Sequence, residues 1–167
     1  ECMVLVELLN TLRLSRIALH ARTGKQQYKG HPDLEAFQGF YELCQHPLYY
    51  NGGIESLSDI RQILIRFPLL KGVFIGRGLL SSPLLAKEFK GNETFLPEQR
   101  MSIYFAFHEE LFSAYSQVLQ GETQLLVKMK TLWEYFLPET DRKLLKRIKK
   151  STRLQQYTES VKAIFTS

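Results

Sequence analysis

Up to about residue 91 the apolar positions follow two alternating rhythms, and beyond it a single one. From about Met3 to Leu12 they recur at helical spacing, and "RIALHA" then reads as a short buried strand. "DLEAFQGFYELC" sets Leu34, Phe37, Phe40, Tyr41 and Cys44 on one helix face, with Asp33 placed to cap its start after Pro32. "PLYYN" is strand-like, and "SLSDIRQILIRFP" carries Leu57, Ile60, Ile63, Leu64 and Phe67 on one helix face ended by Pro68. "KGVFIG" predicts a third strand and "RGLL" a turn. "SPLLAKEFKG" predicts a short helix, with Pro83 near its first turn and Gly91 after its end. Strand and helix thus alternate three times with short connections, the pattern of a parallel sheet built from right-handed βαβ units.

Past Gly91 the strand rhythm is absent. "PEQRMSIYFAFHEELFSAYSQVL", "TQLLVKMKTLWEYFL" and "ETDRKLLKRIKKS" are helical patterns separated by Gly121 and Pro138, and a last helix is expected from Leu154 to Phe165. The expected organisation is therefore an α/β part over residues 1–91 and a helical bundle over 92–167.

Composition narrows the class. Of the 167 residues 44% are apolar and 23% charged, ordinary for a globular chain, so disorder does not describe it. No apolar run approaches the roughly 20 residues of a membrane-spanning helix, and no charged leader precedes an apolar stretch, so a cytoplasmic protein without a membrane partner is expected. Cys2 and Cys44 have no metal-ligand spacing and read as reduced thiols. The chain starts at Glu1, without methionine, and enters a helical pattern at once, as a piece of a larger protein would. The net charge of +5 is modest, but "RKLLKRIKKSTR" from Arg142 to Arg153 gathers seven basic residues and no acidic one.

The strand ends carry the candidate chemistry. "LHART", "YYNGGIES" and "FIGRGLL" all finish in polar or glycine-rich residues, at the sheet edge where parallel α/β folds bind ligands. Two successive glycine bends, each feeding a helix, expose backbone N–H groups to a phosphate, and the helix dipole favours the anion. Arg77, between Gly76 and Gly78, can pair with it as a charged fork. The plainer reading is that these glycines only make tight turns.

"LHARTGKQQYKG", "YYNGGI" and "VFIGRGLL", in this order, resemble the C-terminal segments of the tRNA-dihydrouridine synthases. The resemblance spans Leu19 to Leu80. It implies the C-terminal portion of a (β/α)8 TIM barrel followed by an all-α helical domain that binds tRNA. It also implies FMN as cofactor and NADPH as reductant, for reduction of a uridine C5–C6 double bond in tRNA. On this resemblance His20 and Arg22 contact FMN, with Thr23, Gln27 and Tyr28 matching beside them. Asn51, Gly52 and Gly53 wrap the FMN phosphate and ribityl chain, and Gly76 and Arg77 form the second phosphate loop. Gly53 stands where an acidic residue is commoner. The family's N-x-x-C-P segment with the proton-donating cysteine is absent, as is the strand-five lysine. The expectation is a piece holding three of about eight strands, inactive alone, whose catalytic cysteine lies upstream of Glu1 and which pairs with the missing barrel half or another chain.

Lys143, Lys146, Arg147 and Lys150 share one helix face, opposite Leu144, Leu145 and Ile148. A solvated surface is the ordinary reading of such a run, and the resemblance makes it an RNA contact. Trp133, Tyr135 and Phe136 read as bundle core, and His108 and Met129 as structural. Two alternatives stay open: a non-catalytic RNA-binding or assembly module, and another FMN- or phosphate-binding barrel oxidoreductase.

Overall fold

The computed structural model describes residues 2–26 and 29–166, with the backbone alone at Cys2. The chain divides into two compact units, Glu1–Gly78 and Leu79–Ser167.

The first unit runs α1 (Cys2–Asn10), β1 (Ile17–His20), α2 (Leu34–Leu43), β2 (Leu48–Asn51), α3 (Leu57–Arg66) and β3 (Gly72–Phe74). The three strands form one parallel sheet in the order β1-β2-β3. Both helices after a strand begin where the sequence supplies a cap. The Asp33 carboxylate accepts the Ala36 N–H, and Ser56 and Asp59 form a reciprocal capping box. Strand alternation sends Leu48 and Tyr50 into the core, where Phe37 of α2 meets the Tyr50 ring edge-on at 4.9 Å and that of Phe67 at 5.0 Å. Burying each such ring contributes about 1.5–3 kcal/mol. On the opposite face of the sheet Ala18, His20 and Phe74 are exposed, and the Phe74 ring lies edge-on to Tyr49 at 5.5 Å. Asn10 ties α1 to the end of α2, donating to the Leu43 carbonyl and accepting from the Gln45 N–H.

The second unit holds α5 (Leu85–Gly91), α6 (Pro97–Val118), α7 (Glu122–Leu132), α8 (Arg142–Lys150) and α9 (Leu154–Phe165), reached through the short α4 (Arg77–Ser81). Its core joins Tyr104, Met129, Trp133, Phe136, Ile148, Tyr157 and Val161. Helix α5 packs here. Leu84 before it enters this core, and the buried Glu88 carboxylate pairs with Arg100 of α6. The compact units divide after Gly78, ahead of Gly91, with Leu84 in the helical core and Glu88 of α5 paired to Arg100 of α6.

Three local features differ from the sequence pattern. "RGLL" forms the helix α4 rather than a turn. Gly91 is the last residue of α5, and Asn92 takes the left-handed capping position at φ 47°. Helix α7 stops at Leu132, whereas the pattern runs on through "WEYFL". There Trp133, Glu134 and Tyr135 donate to carbonyls three residues back, and this tighter winding turns Trp133 and Phe136 into the core.

Among the described residues no helix is long and apolar enough to cross a membrane.

Candidate functional site

The register of the sheet builds the first site. His20 lies opposite Asn51 and Asn51 opposite Phe74, so all three strands end level. The chain leaving each end lines one cleft of about 250 Å³, walled by His20, Arg22, Asn51, Gly52, Gly53, Gly76 and Arg77, and also by Ile54, Glu55, Phe74 and Gly78. The seven residues singled out from the three motifs thus converge on one cavity. Gln27 and Tyr28 lie outside the described residues. Thr23 turns away into its own loop, where its hydroxyl accepts the Gln26 N–H.

Three of the four glycines of the cleft have different reasons. Gly53 adopts φ +58°, a left-handed conformation that L side chains resist. At Gly78 a Cβ would fall 2.2 Å from the Ile54 carbonyl oxygen, so the bend after β3 is pressed against the loop after β2. At Gly76 neither holds. Its φ is ordinary, and an added Cβ would meet nothing within 4 Å. Its backbone faces open space in the cleft, which the fold itself does not demand.

The cleft is basic. Arg22 donates from Nη2 to the Gly30 carbonyl at 2.9 Å, while its buried Nε has no hydrogen-bond partner among the described residues. A buried donor left unpaired costs about 1–3 kcal/mol, so a ligand acceptor here would recover it. The helix N-terminus beside the cleft contributes less than the sequence pattern implies. The Asp59 carboxylate already accepts the N–H groups of Glu55 and Ser56 at 2.9 and 2.8 Å, so the first turn of α3 is capped from within and carries its own anion. Attraction for an anion must come from the two guanidinium groups and the glycine peptides. A guanidinium pair, an orphaned buried donor and an open glycine cradle fit a phosphate-bearing cofactor such as FMN.

Glu55, Ile54, Phe74 and Gly78 were not singled out from the motifs. Glu55 and Ile54 directly follow "NGG", and Gly78 completes "GRG". Phe74 gave no local signal, because only the strand register brings it beside Asn51.

The second site lies in the helical unit. Lys143, Lys146, Arg147 and Lys150 of α8 line a groove of about 410 Å³ with Ser151 and with Gln156, Glu159 and Ser160 of α9. The buried Ile148 holds the opposite side of α8 to the core, so all four basic side chains stay at the surface. Trp133, Phe136, His108 and Met129 are buried and Tyr135 is half-buried. Among the described residues no three His, Cys, Asp or Glu side chains gather as a metal ion requires.

Comparison with known proteins agrees with this geometry. The sequence profile of the family "Dihydrouridine synthase" matches residues 1–166. A "Probable tRNA-dihydrouridine synthase" of Aquifex aeolicus (strain VF5) is 34% identical over 86 residues, which is 52% of this chain and 27% of that protein. A protein of the same description from Rhizobium leguminosarum bv. phaseoli is 36% identical over 67 residues, 40% of this chain and 21% of that protein. The matched segments thus span about a quarter of the length of these relatives. With the profile match covering nearly every residue, strands, cleft and helical unit alike, the chain belongs to the dihydrouridine synthase family.

Proposed function

We propose that this chain serves an FMN-dependent tRNA-dihydrouridine synthase, supplying the C-terminal part of its (β/α)8 barrel and the helical domain that docks tRNA. One observation carries the reading: residues from three separated motifs, His20 and Arg22, Asn51 to Gly53, and Gly76 with Arg77, line a single cleft at the level ends of parallel strands.

In this reading Arg22 and Arg77 neutralise the FMN phosphate, the peptides of Gly52, Gly53 and Gly76 approach it closely, and His20 and Asn51 orient what lies above the sheet edge. FMN, with NADPH as reductant, supplies hydride transfer to the uridine C5–C6 double bond. The exposed face carrying Ala18, His20 and Phe74 meets the remaining barrel strands, in the same protein or in another chain. The groove of Lys143, Lys146, Arg147 and Lys150 takes the tRNA backbone through its phosphates, which positions RNA without reading bases. Because that groove lies wholly in the helical unit, an RNA-binding module without catalysis is the second reading.

The natural gene product purified from cells should carry flavin absorbance, and Arg77→Ala should abolish it while the fold persists. A colourless protein that FMN does not reconstitute would leave only the second reading.

A further inference from the structure

Resting on the reading of the α8 groove as an RNA site, we infer that its α9 wall contacts an unpaired nucleobase, through the Gln156 amide and the Glu159 carboxylate, while α8 holds the phosphates. Lys143, Lys146, Arg147 and Lys150 line the groove of about 410 Å³ from α8, and Gln156 and Glu159 line it from α9. A site for phosphates alone gains nothing from a carboxylate, which repels the RNA backbone. Facing the cations, that carboxylate sorts the strand, with phosphate toward α8 and base toward α9.

Hydrogen bonds hold both α9 side chains. Gln156 Oε1 accepts the Thr152 N–H at 3.1 Å and the Thr152 hydroxyl at 3.3 Å. Because a backbone N–H only donates, the amide cannot be turned round, and its NH2 is the group that Gln156 has to offer as a donor. Glu159 Oε1 accepts from Gln155 Nε2 at 3.0 Å, and a carboxylate has a second oxygen for a further donor. The corner between α8 and α9 is tied down as well. The Lys130 ammonium donates to the Ser151 carbonyl, and the Ser151 hydroxyl donates to the Ile148 carbonyl at 2.6 Å. Three residues apart on one helix, a donor and an acceptor stand side by side. Such a pair complements a base edge, where an acceptor adjoins an N–H, whereas a phosphodiester only accepts.

The test titrates the natural gene product and its Gln156→Glu and Glu159→Gln variants, by fluorescence anisotropy, with two single-stranded RNA oligonucleotides of equal length and charge, one of ordinary sequence and one with abasic riboses throughout. The wild type should bind the base-bearing strand more tightly by on the order of tenfold. Gln156→Glu keeps an acceptor for the Thr152 N–H but loses the donor. Through charge alone it should weaken binding of both strands, and Glu159→Gln should strengthen both, yet each should bring the ratio between the strands close to one. Equal affinities in the wild type, or a ratio that either variant keeps, would overturn the base contact while the phosphate groove stands. If Lys146→Ala, Arg147→Ala and Lys150→Ala together leave the salt dependence for both strands unchanged, the RNA reading of the groove is overturned with it.

Discussion

His108 is buried in the helical unit, only 1% exposed. The Trp133 indole N–H donates to the Tyr157 hydroxyl oxygen at 2.9 Å. The Tyr157 O–H is left for His108 Nε2, 2.6 Å away, so that nitrogen is unprotonated and Nδ1–H donates to Glu109 at 3.1 Å. A proton on Nε2 would set two donors against one hydroxyl oxygen and leave the phenol proton without an acceptor. Burial accordingly lowers the His108 pKa, against the opposing pull of the Glu109 carboxylate, and burial raises that of Tyr157. The folded state therefore prefers neutral His108, while the unfolded chain takes up a proton near 6.5. The stability His108 contributes is complete above that pH and declines as pH falls below it, by up to about 1.4 kcal/mol per pH unit until the lowered native pKa is reached. Trp133, the one tryptophan of the chain, reports this site directly. Denaturation followed by its fluorescence should lose stability below pH 6.5 in the wild type, with a flatter dependence in His108→Gln. An equal slope in both would place the proton uptake elsewhere.

Among the elements, the bends after β2 and β3 were legible as glycine-rich, but their separate duties were not. Gly78 serves packing and Gly76 faces the cleft, although they are two residues apart in one motif. Gly78→Ala should destabilise the first unit by about 1–3 kcal/mol, since the Ile54 carbonyl has to move aside. Gly76→Ala should alter stability by less than about 0.5 kcal/mol yet weaken FMN binding, because its methyl group enters open cleft. Urea denaturation with flavin titration separates the two, and similar behaviour of both variants would contradict this division. Helix α3 holds the corresponding lesson in electrostatics. A glycine bend feeding a helix looks like an anion site in sequence, but Asp59 occupies the N–H groups of Glu55 and Ser56, and only the three-dimensional cap geometry reveals it. The early end of α7 is of the same kind. "WEYFL" is as apolar as the helix before it, and burial of Trp133 and Phe136 in the core decides the tighter turn.

At the scale of the whole molecule each unit carries its own cavity, a cleft lined by Arg22 and Arg77 in the first and a groove lined by Lys143, Lys146, Arg147 and Lys150 in the second. Changing Lys146, Arg147 and Lys150 together to Ala should reduce the salt dependence of tRNA affinity by about 0.7–0.9 in log–log slope for each RNA phosphate no longer neutralised, and leave flavin content unchanged. A slope equal to wild type would remove α8 from the interface. The alternation of strands and helices, the caps at Asp33 and Ser56 and the basic face of α8 were determined by the sequence itself, because each rests on residues near one another in the chain, and so was the family, because it rests on the order of short motifs along the chain. Tertiary structure alone decided that Phe74 joins the cleft, that the buried Arg22 Nε has no partner among the described residues, and that α5 packs with the helical unit. Those outcomes depend on strand register and on packing between distant segments, which local periodicity does not encode.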